Sequence, residues 1–314
     1  MAEHFVKPPH WEWYILAYFF LGGLTGGLYA LGTMLRLWGT AEDEAAAKVA
    51  FVAAFPLLLV CPVLLALDLG QPARFWHMLI DTTPGRGGIA FKYWSPMSIG
   101  SWVLLVYGAF AFLSFLEALA LDGRLRGGLG SAIVRALAGS GGRAFNIIGA
   151  ILGLFVASYT GVLLSVSNQP IWSDAWALGG LFLASGLSGA AALLAWLTRY
   201  RRGAEATEAR LARAERYFAT LELVLIVVFF VNVAGAGMLS RALAGPWAAA
   251  WALVVVSLIP SLAARGGPSI QVASTSGPAA VARAAGGVSH AAVLVSVLVG
   301  MLLMRFVVIF SAQF

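Results

Sequence analysis

Eight apolar stretches dominate this chain, each close to the ~20 residues that carry a helix rising 1.5 Å per residue across ~30 Å of hydrocarbon. They run over residues 14–37, 49–69, 96–119, 145–166, 176–198, 217–240, 247–263 and 288–311, the seventh being the shortest. Inside lipid every backbone N–H and C=O needs an internal partner, so stretches of this length fold as helices. The fold class read from them is all-α integral membrane, and an even number of spans puts both termini on one side. Only 11% of the residues are charged and 61% are hydrophobic, which leaves too little polar surface for a soluble fold of 314 residues. No basic n-region or small-residue cleavage site precedes the first stretch, so it is expected to be a span rather than a cleaved signal.

The net charge of +6 is a topology signal and not a nucleic-acid footprint. The side away from the termini holds Arg36 and Lys48, Arg124, Arg126, Arg135 and Arg143, six arginines from Arg199 to Arg216, Arg265 and Arg283. That is fourteen of the twenty Lys and Arg. The terminal side has Lys7, Arg74, Arg86, Lys92, Arg241 and Arg305. The positive-inside rule therefore puts both termini outside the cytoplasm; the expected location is a bacterial or archaeal cytoplasmic (inner) membrane. Residues 122–144 and 199–216 read as short cytoplasmic interfacial helices, and 264–287 as a flexible cytoplasmic loop. The longest outward loop, 70–95, carries Trp76, Tyr93 and Trp94, suited to the headgroup belt or to a protein partner.

A weak internal repeat is visible. Gly23-Leu24-Thr25-Gly26 lines up with Gly186-Leu187-Ser188-Gly189 at an offset of 163, which also pairs Trp13 with Trp176. Either this marks a parallel repeat of two four-helix bundles, residues 1–166 and 167–314, or it is two unrelated small-residue packing motifs. Position 231, equivalent to Asp68, is a valine, which would put polar chemistry in the first bundle.

Four histidines and one cysteine, Cys61, limit what the protein holds by itself. His4, His10 and His77 lie at the outward edge and His290 at the cytoplasmic edge, so no facing pair at matched depth offers a transmembrane haem site. No metal-ligand cluster, P-loop, GxSxG or HExxH is present, and the expectation is no haem and no metal. Polar residues gather near the outward face. Asp68 ends the second span and is followed by Arg74 and His77, with an Asp68–Arg74 pair as the structural alternative to proton chemistry. Tyr159 lies about two turns below the outer face, where a phenol can hydrogen-bond a carbonyl oxygen or simply pack. Deeper ionisable groups are Glu222 and Arg305, read as a possible proton path or, more simply, as anchors facing water. Glu117 reads as snorkelling to the cytoplasmic edge.

Several stretches together carry a resemblance. They are Trp11-Glu12-Trp13 with Gly22-Gly23-Leu24-Thr25-Gly26-Gly27, Asp68-Leu69-Gly70-Gln71-Pro72-Ala73-Arg74-Phe75-Trp76-His77-Met78-Leu79, and Ser95-Pro96-Met97-Ser98. Tyr159-Thr160-Gly161-Val162-Leu163-Leu164 and Ser185-Gly186-Leu187-Ser188 complete the set. The sequence resembles the NrfD family, the membrane subunits of polysulfide reductase and related iron–sulfur molybdoenzymes. The likeness is closest over residues 10–198. It implies two four-helix bundles and an exchangeable menaquinone or ubiquinone bound near the outer leaflet. It also implies a ferredoxin-like iron–sulfur subunit docked on the non-cytoplasmic face, leading to a molybdopterin-type catalytic subunit. The implied quinone residues are Tyr159, Asp68, Arg74 and His77, with Trp13 and Tyr14 on the first span, and Asp68 or His77 as proton acceptor. Gln71 stands where the family often has Arg, and the first-span Asn of some members has no counterpart. A secondary transporter using Glu222 and Arg305, or a purely structural anchor, are the competing readings.

Overall fold

The computed structural model describes residues 9–85, 87–199, 205–263 and 290–313. The expected loop at 264–287 with Arg265 and Arg283, and the expectations on His4, Lys7, Arg86, Arg201 and Arg202, lie outside these residues. Eight helices are long and apolar enough to cross a membrane, so this is a multi-pass α-helical membrane protein. They are α1 (Trp13–Trp38), α2 (Glu44–Asp68), α3 (Pro96–Leu121), α5 (Gly139–Ser165), α6 (Leu178–Thr198), α7 (Glu205–Gly235), α9 (Pro246–Ala263) and α10 (His290–Ser311). Two short helices, α4 (Gly128–Ala136) and α8 (Leu239–Ala242), lie in connections.

Helix α4 falls where an interfacial helix was expected, but residues 205–216 do not form a separate one. They continue unbroken into the sixth span as the 31-residue α7. The reason is local: Ala, Glu, Arg and Leu are strong helix formers, and no Gly or Pro occurs from Glu205 until Gly235. Thr207 and Arg210 at the start of α7 bond the buried carboxylate of Asp43, the Thr207 hydroxyl at 2.7 Å, tying α7 to the turn between α1 and α2.

Contacts close two rings of four helices, α1–α2–α3–α5 and α6–α7–α9–α10, which fits the pair of bundles read from the repeat. Helices α1 and α6 form the seam between the rings. Each has 78% of its span buried, against 50% or less for the other six, so the small residues concentrate where burial is greatest. Gly23 and Gly186, the pair matched at the offset of 163, meet backbone to backbone, and a Cβ on Gly186 would lie 3.0 Å from the Gly23 carbonyl oxygen. Gly26 makes the equivalent approach to α5, where its Cβ would stand 2.9 Å from the Gly153 carbonyl carbon. Glycine removes the side-chain layer that otherwise separates helices by 8–10 Å.

The first and last described stretches meet at one end of the stack. The Trp11 backbone N–H donates to Gln313 Oε1 at 3.0 Å, and the Trp11 ring stacks on Trp172, whose indole N–H donates to the Val308 carbonyl.

Candidate functional site

At the end of the first bundle where α1 begins, four helices contribute to one locus. Tyr159 is six residues from the end of α5, Tyr18 five residues into α1, Cys61 seven residues from the end of α2, and Gly100 four residues into α3. At 1.5 Å per residue all four sit at about the same depth. The Tyr159 ring lies on Gly100, where a Cβ would come within 2.5 Å of Tyr159 Cε1, and it stacks on Phe155 with centroids 5.5 Å apart. The Tyr18 phenol is within electrostatic reach of both Tyr159 and Cys61. Both tyrosines are buried, yet neither hydroxyl has a hydrogen-bond partner among the described residues. A phenol of this kind can donate one hydrogen bond and accept another.

The motif around Tyr159 has a structural logic. While Tyr159 faces α3, Gly161 faces the start of α6, where its Cβ would stand 2.6 Å from the Leu178 carbonyl carbon. The Ser95-Pro96-Met97-Ser98 run caps α3: the Ser95 hydroxyl accepts from the Ser98 N–H, and Pro96 occupies the first turn, where no N–H is missed. Ser98 then holds the loop before α3, its hydroxyl accepting from the Lys92 N–H at 3.0 Å and donating to the Ala90 carbonyl at 3.3 Å.

Of the residues read from the sequence, Asp68 lies above this locus at the end of α2, half-buried and within electrostatic reach of Glu12. It forms no ion pair with Arg74, and the Arg74 side chain is exposed. A short 3-10 turn (Pro72–Met78) carries Arg74 and His77 over the rim, where His77 Nδ1 lies 3.2 Å from the Thr82 hydroxyl. Trp13 and Tyr14 are at the mouth with ring centroids 4.1 Å apart, and Trp13 is exposed. The structure thus brings Tyr159 together with Tyr18, a residue sequence reasoning missed, and puts Asp68, Arg74, His77, Trp13 and Tyr14 further out. Tyr18 sits in the run Ala17-Tyr18-Phe19-Phe20, where nothing but its depth opposite Tyr159 distinguishes it from a packing aromatic.

Beyond the rim, a two-stranded hairpin pairs Ile80 with Ile89 and Asp81 with Gly88. Asp81 accepts from both the N–H and the hydroxyl of Thr83, which holds its carboxyl below the usual carboxylate range. Phe75, Trp76, Ile89, Phe91, Tyr93 and Trp94 are all exposed around this hairpin. That is more apolar surface than isolated exposed residues account for.

Below Tyr18 the interior face of α1 is polar but satisfied. Thr25 donates to the Ala54 carbonyl at 2.8 Å, Tyr107 to the Thr25 carbonyl at 2.8 Å, and the Tyr29 and Ser114 hydroxyls are 2.8 Å apart. Glu117 corrects the snorkelling expectation. It is buried and bonded to Arg36 at 2.6 Å, with Glu44 completing the cluster, because α1, α2 and α3 converge there. A cavity of about 250 Å³ lined by Arg36, Glu44, Glu117, Arg143 and Asn146 lies at this far end of the bundle, away from Tyr159.

Glu222 and Arg305 do not face water either. Arg305 is fully buried at the seam, donating to the carbonyls of Phe19, Phe182 and Met301 and to the Ser185 hydroxyl at 3.0–3.1 Å. Glu222 is buried beside Ser185 and feels the Arg305 charge. The two lie 83 positions apart and meet only because α6, α7 and α10 share one ring.

The architecture defines a polytopic membrane protein whose first bundle carries two buried tyrosines, Tyr18 and Tyr159, at one depth. The family model described as "Polysulphide reductase, NrfD" matches residues 3–314, and the protein belongs to that family. It is 28% identical over 236 residues to Protein NrfD of Escherichia coli, an alignment spanning 71% of each sequence. It is 28% identical to a polysulfide reductase component of Wolinella succinogenes, over 57% of this sequence and 55% of that one. To a selenate reductase component of Mesobacillus selenatarsenatis it is 31% identical over a shorter segment, 34% of this sequence and 22% of the other.

Proposed function

We propose that this protein is the quinone-reactive membrane subunit of a respiratory oxidoreductase. It would exchange electrons between menaquinone or ubiquinone and an iron–sulfur subunit docked on the non-cytoplasmic face. The observation that carries the reading is the Tyr18–Tyr159 pair, two buried phenols at one depth without protein partners among the described residues. A phenol can donate to a quinone carbonyl oxygen or accept from a quinol hydroxyl, and Phe155 extends a flat aromatic wall beside it. Oxidation of one quinol would release two electrons and two protons, and reduction of one quinone would take up the same. In this reading Asp68 and His77, nearer the mouth, accept or return the protons, and Arg74 and Trp13–Tyr14 line the entrance. The exposed aromatic hairpin is the docking surface for the iron–sulfur partner, which leads in turn to a molybdopterin-type or similar catalytic subunit. Relatives named as parts of polysulfide and selenate reductases support an oxidoreductase complex.

The test is quinone-linked turnover of the native complex carrying Tyr18→Phe or Tyr159→Phe. Each variant is expected to lose at least about tenfold in turnover or quinone affinity, the ~1.4 kcal/mol of one hydrogen bond, while the complex stays assembled. Wild-type turnover in both would remove the site. The transporter reading draws on one observation, the buried Glu222–Ser185–Arg305 cluster, and it requires transport by the isolated protein in vesicles.

A further inference from the structure

The cavity at the opposite end of the first bundle from Tyr159 has walls of opposite polarity. It lies where spans begin and end: Arg36 is in the last turn of α1, Glu44 opens α2, Leu121 ends α3 and Gly139 opens α5. The ends of spans stand at the boundary between hydrocarbon and headgroups.

One wall is negative. Arg36 bonds both Glu44 and Glu117, so two carboxylates share one guanidinium, and the nearby Lys48–Asp122 pair at 2.8 Å is neutral. The carboxyl ends of α1 and α3 add terminal carbonyls that lack intrahelical donors. The other wall is positive. Helix α5 starts without a side-chain cap, so the N–H groups of its first turn have no intrahelical acceptor. A Cβ on Gly139 or Gly141 would meet nothing within 4 Å, which leaves that backbone open to approach. Arg143 is exposed just beyond it, and Arg124, Arg126, Arg135 and Arg143 follow Asp122 with no further acid before Asp174.

Asn146 says what else an occupant must offer. It lines the cavity and is 3% exposed. Its side-chain N–H donates to the Gly142 carbonyl at 2.9 Å, which fixes the orientation of the amide. Its Oδ1 is left buried without a partner among the described residues. That oxygen calls for a donor, which a bare anion at the start of α5 would not bring.

We infer that the cavity binds the headgroup of a zwitterionic phospholipid with a primary ammonium, phosphatidylethanolamine. The phosphate lies at the start of α5 beside Arg143, where open amides and the helix dipole favour an anion. The ammonium turns inward, donating to Asn146 Oδ1 and facing the Glu44–Glu117 wall. The volume of about 250 Å³ equals roughly eight waters at ~30 Å³ each, the scale of such a headgroup. The acyl chains follow the outer face of α5, where Ile147, Ile148 and Ile151 are exposed. The site uses none of the residues of the quinone reading, so failure of either leaves the other untouched.

Two measurements on the delipidated, intact complex in detergent test it, with phosphatidylethanolamine, phosphatidylcholine or phosphatidylglycerol of identical chains added back. Phosphatidylcholine keeps both charges but has no N–H, and phosphatidylglycerol keeps hydroxyl donors but lacks the positive charge. Native mass spectrometry should show phosphatidylethanolamine retained at least about tenfold over either, the scale of one charged hydrogen bond. The thermal midpoint should rise most with the same lipid. Asn146→Ala should erase the preference over phosphatidylcholine, and Arg143→Gln should weaken retention of both. Each variant is compared with itself across the lipids, so a general loss of stability does not imitate a lost preference. Retention that does not distinguish the three lipids, or that favours phosphatidylglycerol, would overturn the site. So would a preference for phosphatidylethanolamine that survives unchanged in both variants.

Discussion

A Cβ on Gly23 would stand 2.7 Å from Nη2 of Arg305 and 2.9 Å from the methyl carbon of Met301. The guanidinium occupies space on α1 that only glycine leaves open, and from there it bonds carbonyls on α1, α6 and α10. Gly23→Ala therefore overpacks the seam, at a cost of about 1–3 kcal/mol. The expected outcome is a lower thermal midpoint of the detergent-solubilised protein. Arg305→Met should cost more, about 3–5 kcal/mol, because Glu222 is left buried without its counter-charge. Adding Glu222→Gln to Arg305→Met should recover part of that loss, which a double-mutant comparison of midpoints would read.

Gly100 is to Tyr159 what Gly23 is to Arg305. Gly100→Ala places a methyl group where the Tyr159 ring lies, so the ring must move although the tyrosine itself is unchanged. Quinone affinity of the complex should fall about tenfold or more, with an assembled and folded protein. Unchanged quinone dependence would mean that the position of Tyr159 does not matter to the substrate.

Glu117 and Arg36 form a largely buried pair, with 8% and 12% of their side chains exposed. Glu117→Gln leaves Arg36 with Glu44 alone. Destabilisation of about 1–3 kcal/mol is expected, the cost of a weakened charged hydrogen bond in partial burial. Thermal midpoints of Glu117→Gln and Glu44→Gln, singly and together, would check it, and the double variant should lose more than the sum of the singles.

Asp81 gives the hairpin a pH dependence of known sign. Its two bonds from Thr83 favour the ionised carboxylate and depress its titration. The folded hairpin thus gains stability above the ordinary carboxylate range and loses it as pH falls through the lower folded value. Thr83→Ala should move the Asp81 titration back up, measurable by carboxyl-carbon NMR, and make the hairpin amides exchange faster at neutral pH.

The spans were legible because hydropathy over ~20 residues reports a solvent, the bilayer, rather than a tertiary partner. Tyr159 was legible from its motif, and the approach of α1 to α6 from Gly23 and Gly186. What escaped depends on which helix faces which. Tyr18 looks like its neighbours Phe19 and Phe20 until α1 is set against α2 and α5. Glu117 and Arg36, 81 positions apart, look like independent edge charges until α1 and α3 converge. The arginines of residues 205–216 suggest an interfacial helix, while the unbroken run of helix formers makes them the start of α7. Hydropathy fixes depth along each helix but not rotation about it, and the polar chemistry here is a matter of rotation.

The central claim is that a quinone binds between Tyr18 and Tyr159. The most direct measurement is photolabelling of the native complex with a quinone carrying a photoreactive group on its ring, followed by peptide mapping. Labelling concentrated on the segments around Tyr18, Cys61 and Tyr159, and competed away by unlabelled quinone, is the result predicted. Competable labelling confined to other segments, or none that unlabelled quinone displaces, would contradict it.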